Sequence, residues 1–303
     1  MGINKSQLRV DKLLSNISVE YKNENFIHMD VFPKVPVKKE SDLYRIFDRD
    51  FRLPETKRSS KGVANEHNFN VTTASYVLAQ HSLKDYVSDR DAENYEISDL
   101  RRDTTEVLTN KIMLRKEKSV SALFTSTSWS QNVSLATAQQ FSLDTTTSNP
   151  IPIFDTATTT VLEQSGLMPN FSIIPWNVMV AIKNHSSIIE RVKYTQVTVT
   201  KDLIGSLLSV ENMLVPKAVI DSAAEGQTQS VAALWNDNCF VGYKAPRASI
   251  MAPSAGYMFE NALPLVKRWR VEDRQSEAIE VNQHYVPKVV ASLAGYLIKD
   301  CLA

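Results

Sequence analysis

The sequence predicts an α+β fold, and three features predict it. Short helical and strand-like segments follow one another through the second half of the 303-residue chain, without the regular βαβ repetition that announces a parallel sheet. No Gly or Pro occurs between Gly62 and Pro150. Inside that window Asp91–Phe124 is dense in strong helix formers, with Leu100, Val107, Leu108, Ile112, Leu114, Leu123 and Phe124 recurring at threes and fours. Ahead of it, residues 36–71 read as strand, polar tip, strand.

In chain order, residues 1 to about 35 form a mixed arm. Leu8, Val10, Leu13, Leu14, Ile17 and Val19 suit a short helix, and Phe32-Pro33 and Val35-Pro36 mark a stretch that cannot be a sheet centre. Leu43–Phe47 then leads into the turn-rich Pro54–Gly62, and Asn65–Val71 returns. Arg45, Arg49, Arg52, Lys57, Arg58 and Lys61 make this loop locally basic. A loop this long is uncommon in a compact domain unless it binds something, and the expected partner is a neighbouring subunit.

Read as one helix, Asp91–Phe124 would be roughly 50 Å long at 1.5 Å per residue. Its apolar stripe is narrow, and Asp99, Arg101, Arg102, Asp103, Glu106, Lys111, Arg115, Lys116, Glu117 and Lys118 occupy the rest with both signs interleaved. The expected arrangement is a helix along one face of a sheet, its other side in water or against another subunit. With the basic loop residues, Arg101, Arg102, Arg115 and Glu117 are the candidate inter-subunit contacts.

Beyond the polar turn Leu143–Pro150, Ile151–Gln164 has helix signals at both ends: Pro152 in the first turn, Gly166 and Pro169 past the last. Phe171–Ile174 reads as a strand cut by Pro175, and Trp176–Asn184 and Ser186–Arg191 as two short helices. Val192–Thr200 alternates like a half-buried strand, and Thr200 is placed to cap a helix over Lys201–Leu208. A strand lies within Val210–Val219, a polar loop over Asp221–Ser230, and another strand over Cys239–Tyr243 with Trp235 as a buried anchor ahead of it. Pro246–Gly256 is loop-like; Leu265–Val271 and Ala278–Val281 are strands joined by a charged turn; and the apolar Val286–Leu302 closes the fold.

Composition narrows the chemistry. Lys plus Arg and Asp plus Glu both number 34, so no global field draws the chain to nucleic acid or anionic membrane, and near-zero net charge permits self-association. The two cysteines, Cys239 and Cys301, read as reduced and structural. No stretch approaches a membrane span or a signal peptide. The eight glycines never form G-x-G, there is no G-x-S-x-G or C-x-x-C, and the five histidines lack metal-ligand spacing. Asp48 with Asp50 and Asp89 with Asp91 are explained by solvation or helix capping, so no catalytic residue, cofactor or metal site is expected.

The order of parts resembles the major capsid proteins of tailed double-stranded DNA bacteriophages, the Hong Kong 97-type fold. The resemblance is carried by the arm, the basic loop, ENYEISDLRRDTTEVLTNKIMLRKEKSVSALF at 93–124, FDTATTTVLEQSGLMPNFSIIPWNVMVAIKNHSSIIERVKYT at 154–195, AALWNDNCFVGYKA at 232–245 and YVPKVVASLAGYLIKDCLA at 285–303. It implies an N-terminal arm (1–35), an extended loop (36–74), a peripheral domain with a spine helix (75–150), an axial domain (151–260), and peripheral strands with a closing segment (261–303). It further implies a structural subunit that forms pentamers and hexamers of an icosahedral shell around DNA contacted nonspecifically. Scaffolding, portal and decoration proteins would be partners, with no membrane involved, and the location would be the virion, with assembly in the host cytoplasm. Lys57 or Lys61 sits where some members carry a cross-linking lysine. No matching asparagine or activating acid can be picked out, so cross-linking is not expected. The alternative within the same fold is the shell subunit of an encapsulin-like nanocompartment.

Overall fold

The computed structural model describes residues 9–10, 26–47, 53, 56–58, 62–63, 66, 72–94, 100–126, 129–143, 145–193, 200–223, 227–228, 230–249, 252–261 and 264–302. Its elements in chain order are β1 (Arg9–Val10), α1 (His28–Val31), β2 (Lys34–Pro36), β3 (Ser41–Ile46), β4 (Thr72–Val77), β5 (Ala79–Ser88), α2 (Asp89–Asn94) and α3 (Leu100–Phe124). Next come β6 (Gln131–Ser134), α4 (Pro150–Ser165), β7 (Phe171–Ile173), α5 (Trp176–Asn184), α6 (Ser186–Val192), α7 (Lys201–Leu207), β8 (Asn212–Leu214), β9 (Val219–Asp221) and β10 (Val231–Ala233). The last strands are β11 (Cys239–Gly242), β12 (Gly256–Glu260), β13 (Leu265–Val271), β14 (Ser276–Val289) and β15 (Gly295–Lys299).

Two sheets organise these elements. The first is built on β14, which pairs antiparallel with β5 along one edge and with β13 and then β12 along the other. β1 extends it beyond β13, and β2 runs parallel to β12 on that same side of the sheet. The proline-marked segment is thus an edge strand. The second sheet has the order β6-β15-β11-β7-β8, and α4, α5, α6 and α7 contribute Phe154, Ile182, Ile188 and Ile204 to the core packed on it. A hairpin, β3 with β4, leaves the first sheet, and β9 with β10 forms a small hairpin of its own.

Several elements follow directly from local chemistry. Asn149 accepts from the Ile151 amide at 3.1 Å to start α4, and Gly166 ends it at φ 69, a left-handed conformation in which its amide reaches Leu162 O. Thr200 caps α7, and the His185 ring caps α6 by accepting from the Ser187 amide at 3.2 Å.

Other expectations are corrected. The helix expected over Asp91–Phe124 is two helices, α2 and α3, with residues 95–99 outside the described ones. At 25 residues, α3 is about 37 Å long. Ser88 ends β5 and its hydroxyl accepts from the Asp91 amide, so strand pairing gives way to α2 at a capped boundary. In the arm, Arg9–Val10 is a strand, not a helical turn, because the edge of β13 offers unpaired backbone at Arg268 and Lys267; residues 11–25 are not described. Most of Val192–Thr200 also lies outside the described residues, and Val192 itself ends α6.

β14 far outruns the expected Ala278–Val281 and includes Pro287. The Met258 amide, opposite Pro287, donates outward to Pro33 O. Pro287 N therefore points to the side that β5 has already left, where no ladder donor is required. β12, which was not expected, begins at Gly256, the last residue of the segment read as loop. A Cβ there would run into the Phe32 ring and lie 2.7 Å from Lys288 O, so only glycine lets the arm close on the sheet.

The largest correction concerns α3. Its buried positions are Thr105, Leu108, Thr109, Ile112, Met113, Lys116, Glu117, Val120, Ser121 and Phe124, a continuous stripe at helical spacing. Lys116 and Glu117, expected on the solvated face, are both fully buried. Lys116 Nζ meets Glu260 Oε2 of β12 at 3.1 Å and lies 5.0 Å from the Tyr285 ring centroid; Gln283 also donates to Glu260. Desolvation lowers the Lys116 pKa, with the Glu260 carboxylate opposing the shift.

Glu117 accepts from the Ile27 and His28 amides (3.3 and 2.8 Å), His28 Nδ1 (2.8 Å) and Trp235 Nε1 (2.7 Å). This residue is therefore withdrawn as an inter-subunit contact: its carboxylate is consumed inside the subunit. Two turns on, the Phe124 ring packs against Phe32, Trp129, Trp235 and Phe240 at centroid distances of 4.6–5.7 Å.

Replacing Glu117 by Ala is expected to cost about 3–5 kcal/mol, because it strands buried donors from the arm and from Trp235. Urea unfolding followed by tryptophan fluorescence measures this, and a loss below about 1 kcal/mol would refute the role given to the carboxylate. Gly256→Ala is expected to cost about 1–3 kcal/mol through overpacking against Phe32 in the same assay.

Candidate assembly surface

The β3–β4 hairpin is anchored on one face and open on the other. Strand alternation puts Asp42, Tyr44 and Ile46 with Thr72, Ala74 and Tyr76 on one side, and Ser41, Leu43 and Arg45 with Thr73, Ser75 and Val77 on the other. On the anchored side Tyr76 stacks on Phe259 of β12 at 4.5 Å and 6° between planes, and Tyr44 packs on the same ring at 5.4 Å. Two backbone bonds, Leu78 N to Glu40 O and Phe47 N to Val290 O, fix the base. The open side carries two branched apolar side chains, Leu43 and Val77, each 65% exposed.

A groove of about 440 Å³ runs under the hairpin base, lined among others by Val35, Tyr44, Phe47, Tyr257, Phe259 and Val290. Toward the tip, Leu53 and Val63 are almost fully exposed, and Lys57 and Arg58 are exposed as well. Exposed leucine and valine on a reaching ribbon suit contact with another protein surface better than with water.

The sequence-predicted contacts are not brought into one cluster. Arg45 is half-buried on the open face of β3 and lines the groove; Arg49, Arg52 and Lys61 lie outside the described residues. Arg101 meets Glu277 of β14 at 2.5 Å, and Arg268 stands 3.6 Å from the same carboxylate, so Arg101 braces the helix on its sheet. Arg102 pairs with Glu106 one turn on, and Arg115 is exposed. Burial, helped by the nearby Arg115 and His284, lowers the His81 pKa; its ring stacks on Tyr285, whose hydroxyl burial pushes up to about 12. Sequence reading missed Leu43 and Val77. The alternation in SDLYRI was the available signal, since it puts Leu43 opposite in facing to Tyr44.

Among the described residues, no group of three or more His, Cys, Asp or Glu is placed to hold a metal ion, and no helix is long and apolar enough to cross a membrane. Cys239 and Cys301 are buried and free. Burial raises the Cys239 thiol well above its ordinary value, with Cys301 beside it adding to the effect.

No family model matches the chain. It is 27% identical over 305 residues to the major capsid protein of Burkholderia phage BcepMu, covering 97% of both chains. It is 26% identical over 242 residues to the major capsid protein of Pseudomonas phage JBD67, covering 78% of this chain and 77% of the other. Among solved structures, a phage-related protein from Bordetella bronchiseptica RB50 superposes with TM-score 0.78 at 24% identity, covering 97% and 98% of the two chains. The encapsulin of the holo-SrpI complex from Synechococcus elongatus PCC 7942 superposes at 0.51 with 12% identity, covering 93% and 90%. The chain has the Hong Kong 97-type fold and is, over nearly its whole length, similar to phage major capsid proteins.

Proposed function

We propose that this chain is the structural subunit of a phage capsid, assembling as pentamers and hexamers into an icosahedral shell around double-stranded DNA. The observation that carries the reading is the β3–β4 hairpin: it is locked to its own subunit by Tyr44 and Tyr76 and turns Leu43 and Val77 outward, on a chain similar end to end to capsid proteins. The first sheet with α3 and the hairpin serves as the peripheral domain. The second sheet with α4, α5, α6 and α7 serves as the axial domain gathered around the symmetry axes.

Arg45, Arg49, Arg52, Lys57, Arg58, Lys61, Arg102 and Arg115 are the charged contacts proposed between subunits, while Arg101 acts mainly within its own. Exposed ion pairs are individually worth little, about 0–1 kcal/mol, so many such contacts can form and reopen while a shell corrects its errors. A net charge of zero keeps phosphate contacts few, and the packaged DNA is held by enclosure. Scaffolding, portal and decoration proteins are the remaining partners. Assembly takes place in the host cytoplasm and the product is the virion. The encapsulin-like alternative is favoured by one observation, the structural likeness to the encapsulin of the holo-SrpI complex, and the dimensions of the particle separate the two.

Negative-stain electron microscopy of the protein expressed alone is expected to show closed shells or capsomers. Protein that remains monomeric at every concentration would refute the proposal. Deleting Pro54–Gly62, or replacing Leu43 and Val77 together by Asp, is expected to leave a folded subunit by circular dichroism. Shell yield should fall by about tenfold or more, as expected when a central contact is lost. Normal shells from both variants would remove the hairpin from the assembly contact.

A further inference from the structure

The buried strand β7 has an apolar feature at each end, and the two are unlike. Before its start, the last turn of α4 and the Gly166–Asn170 loop expose Leu162 and Met168, the latter 53% exposed, beside the exposed carboxylate of Glu163. After its end, Trp176, 51% exposed, opens a cavity of about 200 Å³ with Pro216, Val219 and Ala233 in its walls and Trp235 at its side. Register puts Val219 and Val231, both exposed, on one face of the β9–β10 hairpin with Ala233. Lys217 Nζ stands 4.9 Å from the Trp176 ring centroid and puts a positive charge at the socket's edge, while the exposed Asp221 faces the same side of the hairpin opposite Val231.

We infer that the Leu162–Met168 knob of one copy of this chain seats in the Trp176 socket of the next, with Glu163 meeting Lys217. The inference rests on the shell-subunit reading and names a surface and a partner for it. Three arguments carry it. The charges are complementary between the two features, whereas socket against socket would set Lys217 against Lys217. A flexible thioether suits an aromatic, proline-walled cavity, where sulfur and ring attract each other. And the features lie on one subunit, eight residues apart across a strand, a span of at most about 28 Å. Two different patches on one chain make a head-to-tail contact, and a rotation that closes it gives a ring rather than a dimer.

The test uses full-length protein assembled into particles. In the double variant Met168→Cys/Val219→Cys, oxidation with diamide is expected to give a non-reducing gel ladder reaching pentamer and hexamer. Either single variant should stay monomeric, since Cys239 and Cys301 are buried. Glu163→Lys and Lys217→Glu singly are expected to raise the concentration needed for assembly about two- to fivefold, the range of an exposed ion pair, and together to restore it. Particles of normal shape with no ladder would give the socket to another occupant and overturn the inference while leaving the shell reading intact. If the cysteine pair blocks assembly, the charge swap decides: unchanged singles, or a double variant no better than the singles, overturn it. Wild-type protein that never assembles defeats the shell reading itself.

Discussion

The structure depends on a carboxylate buried where α3 meets the arm. Taking an ionised group out of water costs several kcal/mol even after relaxation, so Glu117 is tolerable only because four donors converge on it. Those donors come from two separate places, the start of α1 and the Trp235 side chain ahead of β11. One residue earlier, Lys116 makes the equivalent connection to β12 and, through Gln283, to β14. A helix held by apolar packing alone can slide by small steps. One pinned by two adjacent charged side chains to different elements has a single register, since any other leaves a charge unpaired in a dry site.

That single register is what makes the subunit a frame. Phe124, at the end of α3, gathers Phe32 of the arm, Trp129, and Trp235 and Phe240 of the central block. The same cluster contains Met258 and Tyr285 from the first sheet and Phe171, Ile173 and Leu297 from the second, so both sheets share one core at this point. The β3–β4 hairpin inherits its direction from the frame through Phe259, because Tyr44 and Tyr76 both pack on that ring. A ribbon aimed this firmly presents Leu43 and Val77 at a fixed place relative to the subunit. Little conformational entropy is then lost when they are covered.

Much of this was legible in the sequence, and what was not has definite causes. Helices α4 and α7 were readable from the chemistry at their ends, Pro152 in the first turn of the one with Gly166 past its last, and Thr200 ahead of the other, whereas the caps at Asn149 and His185 show only in the structure. The outgoing strand β3 was readable ahead of the polar tip, but the return expected at Asn65–Val71 lies almost wholly outside the described residues, and the strand that pairs with β3 is Thr72–Val77. Glu117 was misread because charge was equated with exposure, and nothing local says that the donors compensating a carboxylate lie 89, 90 and 118 residues away. β14 was cut short at Val281, where the buried polar residues Asn282 and Gln283 interrupt the apolar pattern, and its run on through Pro287 depends on where β5 stops pairing, a tertiary fact. The apolar half of the candidate assembly surface was missed for a related reason: counting basic residues favours charge, whereas which face of the hairpin turns Leu43 and Val77 outward is settled only once its buried face is known.

Rigidity within the subunit and weakness between subunits are linked requirements. A shell closes only if each contact can break before the next misplaced subunit is trapped, so no single contact can approach the strength of the internal pins. The distribution of charge follows that division. Glu117, Lys116 and Glu260 are sunk in the frame, where low dielectric makes each partner costly to lose, whereas Arg102, Arg115, Lys57 and Arg58 stand where water screens them. The composition alone cannot reveal this, because 34 positive and 34 negative residues sum to zero wherever they are placed. Burial sorts them into two populations, and only the screened one can exchange partners at little cost.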